Sequence, residues 1–183
     1  MASVLVPLAQ GCEELEAVTV IDLLRRAGIR VVTAGLDKNP VQASRGVNLV
    51  PDTDLDTALN EDFDMVVLPG GLPGADNLDR DERVHELLKK MANSEKFTAA
   101  ICAAPKVLAN AGLLEGKNAT SYPGFIDKMN LQNTTCLDDA VVTDGRVITS
   151  RGPGTAMDFA LQLIETLEGK EKRDEVEKAL VRP

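Results

Sequence analysis

The stretch Thr98-Ala-Ala-Ile-Cys-Ala-Ala-Pro105 holds the residue best placed to do chemistry. Phe97 to Ile101 is a short apolar run that reads as a buried strand, and Cys102 ends it. Pro105 suits the first turn of a helix, where its fixed φ and missing N–H cost nothing. Val107, Leu108, Ala111 and Leu114 then recur at helical spacing. Cys102 therefore falls on a strand-to-helix turn, between small residues that leave its sulfur room. This is a nucleophile elbow with Cys in place of Ser. The N–H groups of Ala103 and Ala104 would face any anion beside it. A helix N-terminus also predicts a thiol pKa below the ordinary value. The alternative is a small buried cysteine packed like an alanine.

The partners this thiol could use lie in three other segments. Gln10-Gly-Cys-Glu-Glu-Leu-Glu16 carries three acids, any of which could serve as the acid–base group. Beside a thiolate and an apolar wall, that carboxyl would be raised and protonated near neutrality. Pro69-Gly-Gly-Leu-Pro-Gly74 follows a strand, and Gly70 and Gly71 would let the backbone approach a ligand closely. The N–H groups of Gly71 and Ala103 could form an oxyanion hole. Ser150-Arg-Gly-Pro-Gly-Thr155 is the fourth segment.

Imidazole is missing from this set. The one histidine, His85, is expected on the outer face of a helix over Glu82–Met91. Cys-His amide hydrolysis needs imidazole to activate the thiol and protonate the leaving amine. What remains is thiolate addition to a good electrophile such as an aldehyde, or oxidation of the sulfur itself. Cys12 and Cys136 read as packed or surface thiols. With no Cys-x-x-C pair, neither a zinc site nor a disulfide framework is expected.

The elements that position these residues alternate between strand and helix. Ser3–Ala9 reads as a first strand. A helix over Glu13–Arg26 follows, with Leu15, Val18, Ile21 and Leu24 as its apolar stripe and Gly28 as its stop. Ile29–Leu36 is a second strand, making a right-handed β-α-β unit. Val41–Val50 reads as a hairpin around Ser44-Arg45-Gly46, Pro51–Glu61 as a partly helical connection, and Phe63–Leu68 as a central strand. Ala119–Tyr122 is a short strand. Leu137–Val142 and Val147–Thr149 flank an Asp144-Gly145 hairpin turn. Thr155 should cap a helix running to Leu167, and Gly169 separates it from a last helix over Asp174–Leu180. The pattern predicts one α/β domain over residues 1–183, a flavodoxin-like doubly wound, mostly parallel sheet sandwiched by helices. Ligands would bind beyond the carboxyl ends of its strands.

Composition narrows the function. The net charge of −9 opposes binding to phosphate backbones and to anionic membranes. Aromatics at 3% leave little for stacking on bases. No apolar run approaches the ~20 residues of a membrane helix, and the N-terminus has no basic leader. A cytoplasmic protein without nucleic-acid or membrane partners is expected.

Five motifs in order are recognisable. Gly11-Cys-Glu-Glu-Leu-Glu16, Arg25-Arg-Ala-Gly28, Val66-Val-Leu-Pro-Gly-Gly71, Ala99-Ala-Ile-Cys-Ala-Ala-Pro105 and Thr149-Ser-Arg-Gly-Pro-Gly-Thr155 resemble the ThiJ/PfpI superfamily. Within it they resemble the DJ-one branch of Parkinsonism-associated deglycases. The resemblance implies that Glu16 is the protonated glutamate against Cys102, with Gly71 and Ala103 as backbone donors. It implies a homodimer built on the first helix, with Arg45 and Arg26 contributed across it. Arg151 and Pro153 would line the pocket, beside Gly70. Tyr122 stands where many relatives carry a histidine. The implied activity uses no cofactor or metal. It is a glyoxalase and deglycase reaction on methylglyoxal, glyoxal or their glycated adducts. The alternative is a redox sensor and oxidative-stress chaperone acting through Cys102 sulfinate.

Overall fold

The computed structural model describes residues 1–183. In chain order its first elements are β1 (Ser3–Leu8), α1 (Glu14–Arg26), β2 (Arg30–Gly35), β3 (Val41–Gln42), β4 (Asn48–Leu49), β5 (Thr53–Asp54) and α2 (Leu55–Ala58). Next come β6 (Met65–Leu68), α3 (Gly74–Arg80), α4 (Glu82–Asn93), β7 (Phe97–Ile101), α5 (Pro105–Asn110) and β8 (Asn118–Ala119). The chain closes with β9 (Thr135–Cys136), β10 (Val141–Asp144), β11 (Val147–Ser150), α6 (Ala156–Glu168) and α7 (Lys170–Ala179).

Seven strands form the central sheet in the order β10-β11-β7-β6-β1-β2-β5. All its pairings are parallel except the β10–β11 hairpin. Along β1 the side chains alternate, as the pleat requires. Val4, Val6 and Leu8 pack in the layer under α1 and α6, and Leu5 packs in the opposite layer with α4 and α5. The expected α/β class with a mostly parallel, helix-flanked sheet is therefore found. From β1 the chain runs outward to β2, and β6 lies on the other side of β1. That reversal opens a crevice at the strands' carboxyl ends. Leu68, Ile101 and Ser150 end β6, β7 and β11 along this same rim.

Several boundaries differ from the sequence expectation. In α1 the buried residues are Glu16, Ala17, Val20, Leu23 and Leu24, whereas Leu15 and Val18 are half exposed. Successive steps of three residues fall behind the helical repeat by about 60° each, so a run of such steps winds off the buried face. Helix α3 begins at Gly74, directly after the glycine loop, and is an element for which the sequence gives no expectation. Strands β5 and β9 have two residues each and carry no periodic signal. The short strand before Pro123 is Asn118–Ala119, paired with β9. Thr155 stands at the N-cap of α6 as expected, but its hydroxyl makes no capping bond there; it pairs with Ser150 Oγ at 2.7 Å and bonds Gly152. Helix α7 starts at Lys170, immediately after Gly169. No helix is long and apolar enough to cross a membrane.

Candidate active site

Cys102 follows β7 in the left-handed region, at φ +64°. For a residue with a Cβ this conformation is strained. Two main-chain hydrogen bonds hold it. The Cys102 N–H donates to Ser150 O (3.0 Å), and Cys102 O accepts from the Tyr122 N–H (2.8 Å). The elbow is thus pinned by β11 on one side and by the loop after β8 on the other. Pro105 opens α5 as expected.

Glu16 lies on the core-facing side of α1 and is fully buried, 0% exposed. Its Oε2 accepts the Gly70 N–H at 2.8 Å. Its Oε1 has no hydrogen-bond partner, and the carboxyl stands beside the Cys102 thiol. Gly70 explains the close approach. A Cβ there would stand 2.7 Å from Cys102 Cβ and 2.8 Å from Glu16 Oε2, so a side chain would displace one or the other. Gly71 serves the next contact. At φ +87°, with Glu13 N 2.4 Å from where its Cβ would be, it turns its N–H to the Cys102 sulfur.

The electrostatics correct one expectation. Burial pushes the Glu16 carboxyl up to about 7, against the Gly70 N–H and the thiol, which favour the carboxylate. The Cys102 thiol is also pushed up, to about 12, by burial first and then by the charge of Glu16. The N–H groups of Gly71 and Ala103 pull it down without overcoming those causes. Helix-end amides therefore do not by themselves make a standing low-pKa thiolate. Two ionisable groups this close titrate as a pair. Above about pH 7 they hold one proton between them, and the sulfur is most nucleophilic when that proton sits on Glu16.

Cys102 is 8% exposed and opens into a cavity of about 380 Å³. Glu13, Ser44, Arg45, Gly71 and Leu72 form one side, and Ala103, Tyr122, Phe125 and Pro153 the other. Tyr122 meets Phe125 edge-on at 6.3 Å. Of the expected residues, Cys102, Gly71, Ala103, Tyr122, Pro153 and Arg45 meet here. Gly70 does not line the cavity; it is buried beneath, bonded to Glu16. Arg151 is not on the wall either, and its guanidinium pairs with Asp138 at 2.8 Å. Arg45 lines the cavity of its own chain, held through its main-chain N–H by Glu14 (2.9 Å). Arg26 is half exposed on α1 and pairs with Asp22. Leu72, Phe125 and Ser44 lie in loops and turns whose sequence gives no sign of a shared cavity.

His85 bonds the Asp79 carbonyl at 2.8 Å, away from this cavity. Cys12 is buried and pushed up to about 12 by burial and by Glu14, which leaves it inert. Cys136 is exposed, and burial together with Asp127 raises it. No group of three His, Cys, Asp or Glu side chains stands close enough to hold a metal ion. A second concavity, at the ends of β1 and β2, is lined by Gln10, Asp37, Asn77 and Arg80. Gln10 and Asn77 are committed there to main-chain partners, and no thiol reaches it.

Comparison with known proteins finds relatives along nearly the whole chain and the same fold in solved structures. Residues 2–166 match the model of the DJ-1/PfpI family. The protein dj-1beta of Drosophila melanogaster is 48% identical over 98% of this chain and 96% of its own length. A crystal structure of Drosophila DJ-1beta superposes with a TM-score of 0.95, at 47% identity, covering 100% of this chain and 98% of that one. The glutathione-independent glyoxalase DJR-1.2 of Caenorhabditis elegans is 41% identical over 98% of this chain and 95% of its own length. The structure titled Toxoplasma gondii DJ-1, oxidized, superposes at a TM-score of 0.94 and 39% identity, covering 99% of this chain and 98% of that one.

A buried carboxyl raised from its ordinary 4.5 to about 7 carries a sign for stability. The folded value exceeds the unfolded one, so the folded state loses stability as pH rises from about 4.5 and has lost it all above about 7. At about 1.4 kcal/mol per pH unit, that loss is on the order of 3 kcal/mol at pH 8. Glu16→Gln should therefore gain stability relative to wild type as pH rises from about 5 to 8. Urea unfolding at both pH values measures this, and a difference that stays constant with pH would contradict it.

Proposed function

The chain belongs to the DJ-1/PfpI family, and on that footing we propose that it is a cysteine-dependent, cofactor-independent glyoxalase and deglycase. Its substrates would be methylglyoxal, glyoxal and their early adducts. The observation that carries this is Cys102 on a pinned elbow, opening into a cavity, with the Glu16 carboxyl buried beside it. A relative bears the name of a glutathione-independent glyoxalase.

The chemistry follows from the shared proton. Cys102 adds to the aldehyde carbon as its proton passes to Glu16, giving a hemithioacetal. The Gly71 and Ala103 N–H groups stabilise the oxygen that takes up charge. The alkoxide oxygen takes that proton back from Glu16; the ionised Glu16 then removes the proton from the carbon bound to sulfur, giving an enediolate as the hydroxyl proton passes to the second oxygen, and returns it to the neighbouring carbon. The product is a thioester of a 2-hydroxy acid, which water cleaves. A carboxyl with a pKa of about 7 suits both directions of transfer. Tyr122 offers a hydrogen bond to a substrate oxygen, and a phenol hydroxyl is a poor base, so Glu16 carries the transfers.

The same residues support a second reading as a redox sensor and stress chaperone. Peroxide would take Cys102 to a sulfinate, whose oxygens the Gly71 and Ala103 N–H groups and a protonated Glu16 could hold. The half-exposed Leu15 and Val18 on α1 further support a homodimer that covers them.

Lactate formation from methylglyoxal should fall at least ~10²-fold in Cys102→Ser and in Glu16→Gln; equal rates in all three proteins would remove the enzymatic reading. Mild peroxide should add two oxygens at Cys102 by intact and peptide mass, and unmodified Cys102 would remove the sensing reading. Sedimentation velocity should give twice the 19.6 kDa chain mass, with Val18→Asp shifting it to monomer. A monomeric wild type would refute the dimer.

A further inference from the structure

Hydrolysis of the thioester needs a base that Glu16 is badly placed to be. Glu16 is wholly buried, with Oε2 held by the Gly70 N–H. Gly70 packs tightly against both Glu16 Oε2 and Cys102 Cβ, and no part of Glu16 is open to solvent. Water must therefore approach the acyl carbon from the open cavity. Of the side chains lining that cavity, the Arg45 guanidinium has donors and no acceptor, and Ser44 and Tyr122 carry hydroxyls, which are weak bases. Glu13 is the one carboxylate on the wall.

Its placement suits the task. The Glu13 side chain is 12% exposed, sheltered yet in reach of solvent. The Ser44 hydroxyl donates to its Oε2 at 2.8 Å and fixes its direction, and Arg45 Nε stands 4.0 Å from the same oxygen. Its main chain is tied to the oxyanion loop. The Glu13 N–H donates to Gly70 O at 2.9 Å, and Gly71 packs directly against it. Glu13 is thus held on the same frame as the Gly71 N–H and the Cys102 sulfur.

We propose that Glu13 is the general base that activates water to hydrolyse the Cys102 thioester, dividing the acid–base work with Glu16. This rests on the thioester route of the preceding section. Glu13 takes a proton from the water as the water oxygen bonds to the acyl carbon. The tetrahedral intermediate collapses, the carbon–sulfur bond breaks with its electron pair going to sulfur, and the pair formed by Cys102 and Glu16 regains its shared proton from the newly formed carboxylic acid. The 2-hydroxy acid leaves as its carboxylate, and Glu13 releases its proton to solvent.

The test compares wild type, Glu13→Gln and Cys102→Ser with methylglyoxal. In Glu13→Gln, kcat should fall ~10²-fold or more, and KM should fall with it because the covalent intermediate accumulates. Hydroxylamine added after one turnover should then release lactohydroxamate near the molar amount of enzyme; wild type should release little. A hemithioacetal gives no hydroxamate, so the signal reports the thioester alone. Alkylation of Cys102 in Glu13→Gln at the wild-type rate verifies an intact elbow. If Cys102→Ser is inactive while Glu13→Gln turns over normally, or loses activity with no hydroxamate, the assignment to Glu13 falls and the cysteine reading stands. If Cys102→Ser makes lactate at the wild-type rate, the cysteine reading itself falls.

Discussion

A single hydrogen bond, from the Gly70 N–H to Glu16 Oε2, holds a buried carboxyl against a cysteine sulfur. Most of what is unusual around it follows from that contact. Gly70 can have no side chain, because a Cβ would strike both groups. A glutamate must occupy a core-facing position of α1, where an aliphatic residue would otherwise pack. Burial disfavours both anions, so carboxyl and thiol compete for one proton. The field of the α5 N-terminus and the N–H groups of Gly71 and Ala103 favour leaving the negative charge on sulfur, but they act against a larger desolvation cost.

The fold supplies what this contact cannot. The left-handed turn at Cys102 would relax if free. Ser150 and Tyr122 prevent that by bonding its N–H and its carbonyl from opposite directions. Ser150 is itself tied by its hydroxyl to Ala140 O and to Thr155. The Arg45 hairpin tip is fixed by Glu14; burial would raise its carboxyl, but its own N–H and those of Arg45 and Val47 hold it below its ordinary pKa. Three acids within four residues thus face three ways. Glu14 anchors a hairpin, Glu13 faces the cavity and Glu16 meets the sulfur.

The sequence disclosed the parts whose signal is local. The apolar run ending at Cys102, the proline after it and the glycine pair after β6 place the elbow and its backbone donors without a structure. So do the alternation of strand and helix and the Asp144-Gly145 hairpin. What stayed hidden depends on tertiary direction. Spacing by threes pointed to Leu15 and Val18 as buried, and only the packed helix shows that Glu16 and Ala17 face inward instead. Gly70 and Arg151 sit in loops next to true wall residues, yet one is buried beneath the cavity and the other turns to Asp138. The thiol's electrostatics were misjudged because a sequence displays a helix end but not the depth at which the sulfur lies.

All of this makes the reactivity of Cys102 a property of two residues and not one. The direct measurement is the rate at which iodoacetamide alkylates Cys102, followed on its peptide across pH, in wild type and Glu16→Gln. The wild-type rate should step upward with a midpoint near the carboxyl value of about 7 and then level off. In Glu16→Gln that step should vanish, leaving a slower reaction at neutral pH that climbs steadily into the alkaline range. Superimposable profiles in the two proteins would show that the sulfur and the carboxyl titrate independently, and the shared-proton site would be wrong.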